Sequence, residues 1–270
     1  RPDPPDPGPQ AGGRPGMTPI DPPDGSASLL TVVQTVLSGE VPAVALIGGL
    51  AVTARVASTA GYRATNDVDF VTADDAPPTF LEVITARHQV EAPIVIDGIK
   101  VDIIPTYDVG EDDLADVDDG PRLFVASHRW ALDTAETVTL RCTAQMSTTA
   151  VDVRLATPAA LIAAKSHAVG FARSQRRATK HASDLLDVYR LVDRYHPPGQ
   201  LVTDLQHAPG RLTGVIAAIV RAEYLANPVK AATAMSESQG TRISADDLAQ
   251  TMEAFVEDLE DRAPEGSWPD

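Results

Sequence analysis

Two aspartates stand two positions apart in the run Arg63-Ala64-Thr65-Asn66-Asp67-Val68-Asp69-Phe70. In an extended strand, residues i and i+2 share a face, so Asp67 and Asp69 present their carboxylates to the same side. Carboxylates held that close repel, and each raises the other's pKa unless a cation lies between them. A hard divalent ion with oxygen ligands meets that need. Magnesium suits it, because it takes few protein ligands and bridges to phosphate oxygens. A third acid, Asp102, lies in Lys100-Val101-Asp102-Ile103-Ile104. If its strand neighbours the Asp67/Asp69 strand, three carboxylates converge, enough to hold two magnesium ions for an in-line displacement at phosphorus. Upstream, Gly48-Gly49 supplies a turn without side chains. Backbone N–H groups and a helix N-terminus can approach phosphate there.

These residues need strands and turns to hold them. Val41 to Ile47 is an apolar run that reads as a buried strand ending at Gly48-Gly49, and Leu50 to Ala57 reads as a helix. Val68, Phe70 and Val71 mark a second strand. Ile94 to Pro105 reads as a hairpin, with Asp97-Gly98 as its two-residue turn. Helices are expected over Leu29 to Leu37, Phe80 to His88 and Phe124 to Asp133, and strands over Val138 to Arg141 and Val151 to Leu155. Thr157 is placed to cap a helix that has Pro158 at its first position. From there the pattern is mostly helical, near 158–172, 181–195, 211–226 and 245–262. In the last of these, Leu248, Met252, Phe255, Val256 and Leu259 form one stripe that reads as core. The fold class is α+β, with a mixed sheet and flanking helices over 28–156, followed by a helical domain over 157–270.

Of the 270 residues, 43% are hydrophobic and 22% charged, which excludes a wholly disordered chain. No apolar run approaches the ~20 residues of a membrane helix, so no membrane role is expected. No N-terminal stretch reads as a signal peptide, and the expected location is cytoplasmic. The single cysteine, Cys142, can form neither an internal disulfide nor, alone, a zinc site. Residues 1–27 are rich in Pro, Gly and Asp and read as a disordered tail. The net charge of −16 argues against general coating of nucleic acid, though not against a local basic patch. Seven acids between Asp108 and Asp119 read as a solvated loop.

The order Gly-Gly, then Arg-x-Thr-x-Asp-x-Asp-Phe, then Val-Asp-Ile resembles the nucleotidyltransferase superfamily of the DNA polymerase β type. Downstream, Ala156-Thr157-Pro158 leads a helix carrying Lys165, and Lys180-His181-Ala182-Ser183-Asp184-Leu185-Leu186-Asp187 follows. That set resembles the AbiEii-like family, which includes the MenT-type toxins, over roughly residues 40–195. Two departures stand out. The glycine element reads Gly48-Gly49-Leu50-Ala51, without a hydroxyl, and the basic–acidic pair is spread as Lys180-x-x-x-Asp184.

The resemblance implies a nucleotidyltransferase-like sheet whose site is completed by the helical domain. It implies a toxin of a toxin–antitoxin system, dependent on magnesium, that transfers NMP from an NTP to a tRNA 3′ acceptor end and blocks translation. Its partners would be a nucleoside triphosphate, that tRNA end and a cognate antitoxin. Asp67, Asp69 and Asp102 would be catalytic and metal-binding. Gly48, Gly49, Arg63, Thr65 and Lys165 would contact nucleotide. Lys165, Asp184 and Asp187 would be catalytic as well; of the two aspartates, three apart on a helical face, one would orient Lys165 or touch nucleotide and the other would pair with Lys180, Arg190 or Arg194. Residues 165–194 hold seven cations against three acids. Arg173, Arg176, Arg177 and Lys180 are the candidate RNA patch within them. Thr65, two residues before Asp67, is a candidate phosphorylation switch, because phosphate there adds about −1.5 to −2 charge beside the acids. Transfer to a small cationic molecule such as an aminoglycoside, or to a protein hydroxyl, is the alternative enzyme reading. A non-catalytic nucleotide-binding module is the alternative outside enzymes.

Overall fold

The computed structural model describes residues 19–56, 65–73, 79–89, 92–144, 147–171, 178–197, 199–239 and 242–261. Six described strands form one mixed sheet. They are β1 (Val44–Ile47), β2 (Asp67–Ala73), β3 (Ile94–Ile96), β4 (Ile99–Thr106), β5 (Glu136–Ala144) and β6 (Ser147–Leu155), in the spatial order β3-β4-β2-β1-β6-β5. All four residues of β1 are buried, as an uninterrupted apolar run at the centre of a covered sheet requires. On β2, by contrast, Val68 and Phe70 are buried while Asp67 and Asp69 face a partly open side. The β3–β4 hairpin turns at Asp97 (φ 50°) and Gly98 (φ 77°), a left-handed pair that matches strand twist.

Helix α1 (Ala27–Val36) packs on β5 and β6. Helix α2 (Gly48–Arg55) leaves β1 directly. Helix α3 (Phe80–His88) opens with a capping box between Thr79 and Glu82. A short α4 (Glu111–Leu114) interrupts the acidic segment, in which Asp108, Asp113, Asp116, Asp118 and Asp119 are exposed. Helix α5 (Asp119–Asp133) begins five residues before the expected start and lies against β2 and β4. Helix α6 (Pro158–Gly170) starts as the sequence indicates, with the Thr157 hydroxyl accepting from the Ala160 N–H at 3.4 Å and Pro158 at the first position. Such a cap contributes about 1 kcal/mol.

The helical region continues through α7 (Ala178–Tyr195), α8 (Gln200–Gln206), α9 (Leu212–Val220), α10 (Pro228–Gln239) and α11 (Ala245–Asp261). The five stripe residues of α11 are all buried. The apolar core runs without a break from the sheet into these helices. Polar ties reinforce it. The Arg55 guanidinium donates to the carbonyls of Leu155 and Ala156, and the Tyr195 hydroxyl donates to the Arg55 carbonyl at 2.6 Å.

The expected tail needs one correction. Ile20 bridges Leu140, with its N–H on the Thr139 carbonyl and its carbonyl on the Arg141 N–H, both at 2.9 Å, and Asp21 pairs with Arg141. The reason is that β5 is an edge strand with open backbone groups, which this segment satisfies. Residues 1–18 of that expectation lie outside the described residues.

Candidate active site

Residues Asp67 and Asp69 on β2 run beside β4 in parallel register. Asp67 lies opposite Lys100, and Asp69 lies opposite Asp102. One oxygen from each of Asp67, Asp69 and Asp102 lies within 4.8 Å of the others. That spacing and all-oxygen donor set fit a hard divalent cation with room left for substrate oxygens. The condition set by the sequence, that the Asp102 strand neighbour the Asp-x-Asp strand, is met by direct pairing.

The three carboxylates differ in surroundings. Burial pushes the Asp69 carboxyl up, the Asp67 charge adds to this, and the result is about 6. Burial also raises Asp67, but the Thr65 hydrogen bond and Lys180 outweigh it and leave Asp67 below the ordinary carboxyl range. The Thr65 hydroxyl donates to Asp67 Oδ1 at 2.6 Å, and Lys180 Nζ stands 3.5 Å from Oδ2. Asp102 is held by Lys100, 2.7 Å from Oδ1 and 2.8 Å from Oδ2. Lys100 was not singled out from sequence, although its i, i+2 spacing to Asp102 on β4 was visible.

The glycines separate in role. Gly48 (φ 71°) borders the carboxylates so closely that a Cβ there would lie 1.8 Å from Asp69 Oδ2. Glycine is required at this position for both backbone conformation and space. Gly49 is buried within α2 and does not line the cleft.

Facing the sheet is the helical wall. Lys165 on α6 is buried, with Nζ 2.8 Å from Asp184 Oδ1 and 2.8 Å from Asp187 Oδ2 on α7. Burial disfavours its charge, but the two carboxylates override this and hold its pKa well above the ordinary lysine value. Both aspartates therefore pair with Lys165, a role expected from the sequence for one of them. Lys165 and Asp184 line the cleft, and Asp187 stands behind them. An ammonium has three N–H donors, so two engaged carboxylates leave one for the cleft.

A cleft of about 430 Å³ joins these groups, bordered by Gly48, Asp67, Asp69, Lys100, Asp102, Lys165, Lys180 and Asp184. Its remaining wall is apolar apart from His128 on α5, a residue that no sequence motif marked. Lys180, read from sequence as part of an RNA patch, lies at the carboxylates. Arg63, Arg173, Arg176 and Arg177 lie outside the described residues. His181 Nε2 is 3.4 Å from Glu223, and His181 is not among the residues that border the cleft. Among the described residues, Asp67, Asp69 and Asp102 form the one group of His, Cys, Asp or Glu side chains spaced to hold a metal. No described helix is long and apolar enough to cross a membrane.

Among known proteins, the family model described as "Nucleotidyl transferase AbiEii toxin, Type IV TA system" matches residues 32–268. No curated protein matches the chain.

Proposed function

We infer that this chain, which belongs to the AbiEii nucleotidyl transferase toxin family, transfers NMP from an NTP to a tRNA 3′ acceptor end. The observation that carries the reading is the convergence of Asp67, Asp69 and Asp102 within 4.8 Å in a cleft shared with buried Lys165. As a nucleotidyltransferase toxin of a toxin–antitoxin system, it acts on a nucleoside triphosphate and answers to an antitoxin.

Asp67, Asp69 and Asp102 would hold magnesium. When bound, the metal supplies charge neutralisation at the α-phosphate and lowers the pKa of the attacking hydroxyl. The protein's own groups do the positioning. Gly48 leaves its backbone bare beside Asp69, so phosphate can approach the start of α2. Lys165, immobilised by Asp184 and Asp187, offers its remaining N–H to phosphate oxygens. Lys100 and Lys180 pair with Asp102 and Asp67 and border the same cleft, placed to meet an incoming triphosphate. The acceptor hydroxyl gives up its proton toward Asp102 as its oxygen forms a bond to the α-phosphorus; the bond from the α-phosphorus to the α–β bridging oxygen breaks, and pyrophosphate leaves. Most of the rate enhancement comes from fixed charge and geometry.

Thr65 is the proposed control point. Its hydroxyl is bonded to Asp67, so a phosphate there sets a near-dianion against the carboxylates and removes a donor.

Purified protein, total tRNA, Mg²⁺ and each labelled NTP in separate reactions test the acceptor. Label should enter tRNA with the wild type and not with Asp67→Ala/Asp69→Ala. Label entering protein or a small amine in place of tRNA would overturn the tRNA assignment.

A further inference from the structure

We propose that His128 reads the nucleobase in the cleft, its Nε2 accepting an N–H from the base edge. This rests on the reading of the cleft as a nucleotidyl-transfer site, and it adds a specificity residue on the α5 side of the cleft.

His128 is 6% exposed, and the cleft is where it lies open. Its Nδ1 lies 2.7 Å from the Phe124 carbonyl, one helical turn back on α5. A carbonyl oxygen only accepts, so Nδ1 carries the proton. Ser127 Oγ stands farther off, at 3.5 Å. Burial lowers the imidazole pKa, which keeps the ring neutral. A neutral ring protonated at Nδ1 has a lone pair at Nε2. Nε2 has no hydrogen-bond partner among the described residues, and it is not sealed from solvent. The Phe124 ring, 4.3 Å away between centroids, backs the imidazole and limits its rotation. The result is one fixed acceptor on a wall.

The surroundings select the ligand. Ile104 of β4 and Leu161, Ala164 and Ala168 of α6 line the same cleft. The three α6 residues share a helical face and are apolar. Apolar lining together with one neutral ring acceptor suits a flat heteroaromatic ring that presents an N–H and has a poorly hydrated face. It does not suit a phosphate or a carboxylate, which bring only acceptors toward Nε2. A nucleobase has the required shape and donor. Two sources supply one: the incoming NTP and the last base of the acceptor RNA.

The test is calorimetric binding to the full chain with Mg²⁺ and no turnover. ATP, CTP, GTP and UTP are titrated separately, with inorganic tripolyphosphate as a probe lacking a base. Wild type, His128→Leu and His128→Gln are compared, each checked for an unchanged melting transition. His128→Leu should compress the spread of affinities among the four NTPs by about three- to tenfold, the value of one hydrogen bond. It should leave tripolyphosphate binding unchanged. His128→Gln, which retains an accepting oxygen, should restore part of the spread. If the NTPs show no spread but short RNAs differing in the 3′-terminal base do, and His128→Leu abolishes that difference, the base read is the acceptor's. The proposal is overturned if the wild type discriminates neither set. It is also overturned if His128→Leu leaves both preferences intact, or weakens tripolyphosphate as much as NTPs. Because binding is read without transfer, a failure of the tRNA reading leaves this test standing, and labelled tRNA with unchanged base preference sinks His128 alone.

Discussion

Asp69 on β2 and Asp102 on β4 lie directly opposite each other in parallel register, with Asp67 two residues away on the same face of β2. Like charges in facing positions of a sheet destabilise it. A proton relieves the repulsion at Asp69, whose pKa burial and the Asp67 charge raise to about 6, and a divalent cation held there would do the same. The sign follows. The folded carboxyl binds its proton more tightly than the unfolded one, so the metal-free protein loses stability as pH rises from the ordinary carboxyl range through about 6. Magnesium bound at these carboxylates would replace that proton. Addition of Mg²⁺ should therefore raise the melting temperature more at about pH 7.5 than at about pH 5. Asp69→Asn should abolish the Mg²⁺ effect at both. A shift of equal size at both pH values would count against a metal at these carboxylates.

Two left-handed glycines separate strain from contact. Gly48 (φ 71°) has Asp69 Oδ2 where a Cβ would go, whereas Gly98 (φ 77°) has nothing within 4 Å. Gly98→Ala should cost about 1–2 kcal/mol from backbone strain and leave turnover unchanged. Gly48→Ala carries the same strain and displaces the Asp69 carboxylate, so turnover should fall about hundredfold or more. Denaturant titration beside activity measurements checks both. Equal activity losses in the two variants would refute the assigned role of Gly48.

Buried Lys165 is paired with both Asp184 and Asp187. Lys165→Met removes the cation that both buried carboxylates share and should lower stability by about 3–5 kcal/mol. Asp187→Asn leaves a neutral Lys165–Asp184 pair and should cost less. Chemical denaturation curves rank the two, and the opposite order would show that Lys165 does not hold the trio together.

Thr65 ties its hydroxyl to Asp67. Thr65→Ser keeps the donor and the modifiable oxygen, and it should retain activity and antitoxin sensitivity. Thr65→Val removes both. Its residual activity should be lower than wild type and unaffected by the antitoxin. Antitoxin inhibition of Thr65→Val as strong as that of the wild type would exclude Thr65 as the control point.

Much of this was legible because local rules were enough. Asp67-x-Asp69 and the Asp97-Gly98 turn depend on strand period and turn chemistry, and Thr157-Pro158 on capping, so each could be read from neighbours in the chain. The helices α8 and α10 were not foreseen. The first is seven residues long, and the second is rich in Ala, Ser and Thr with little apolar contrast. The sequence spacing put Asp184 and Asp187 on one face, but their shared grip on Lys165 comes from the packing of α6 on α7. His128 carried no motif at all. It became visible only when α5 settled over β2 and β4 and turned one imidazole toward the cleft.

The chemical class is tested most directly by supplying the same NTP labelled at the α- or at the γ-phosphorus, with acceptor RNA and Mg²⁺. Nucleotidyl transfer predicts that the RNA gains α-label, that γ-label leaves as pyrophosphate, and that Asp67→Asn/Asp69→Asn does neither. Transfer of γ-label to RNA or protein, or α-label transfer undiminished in the double variant, would contradict it.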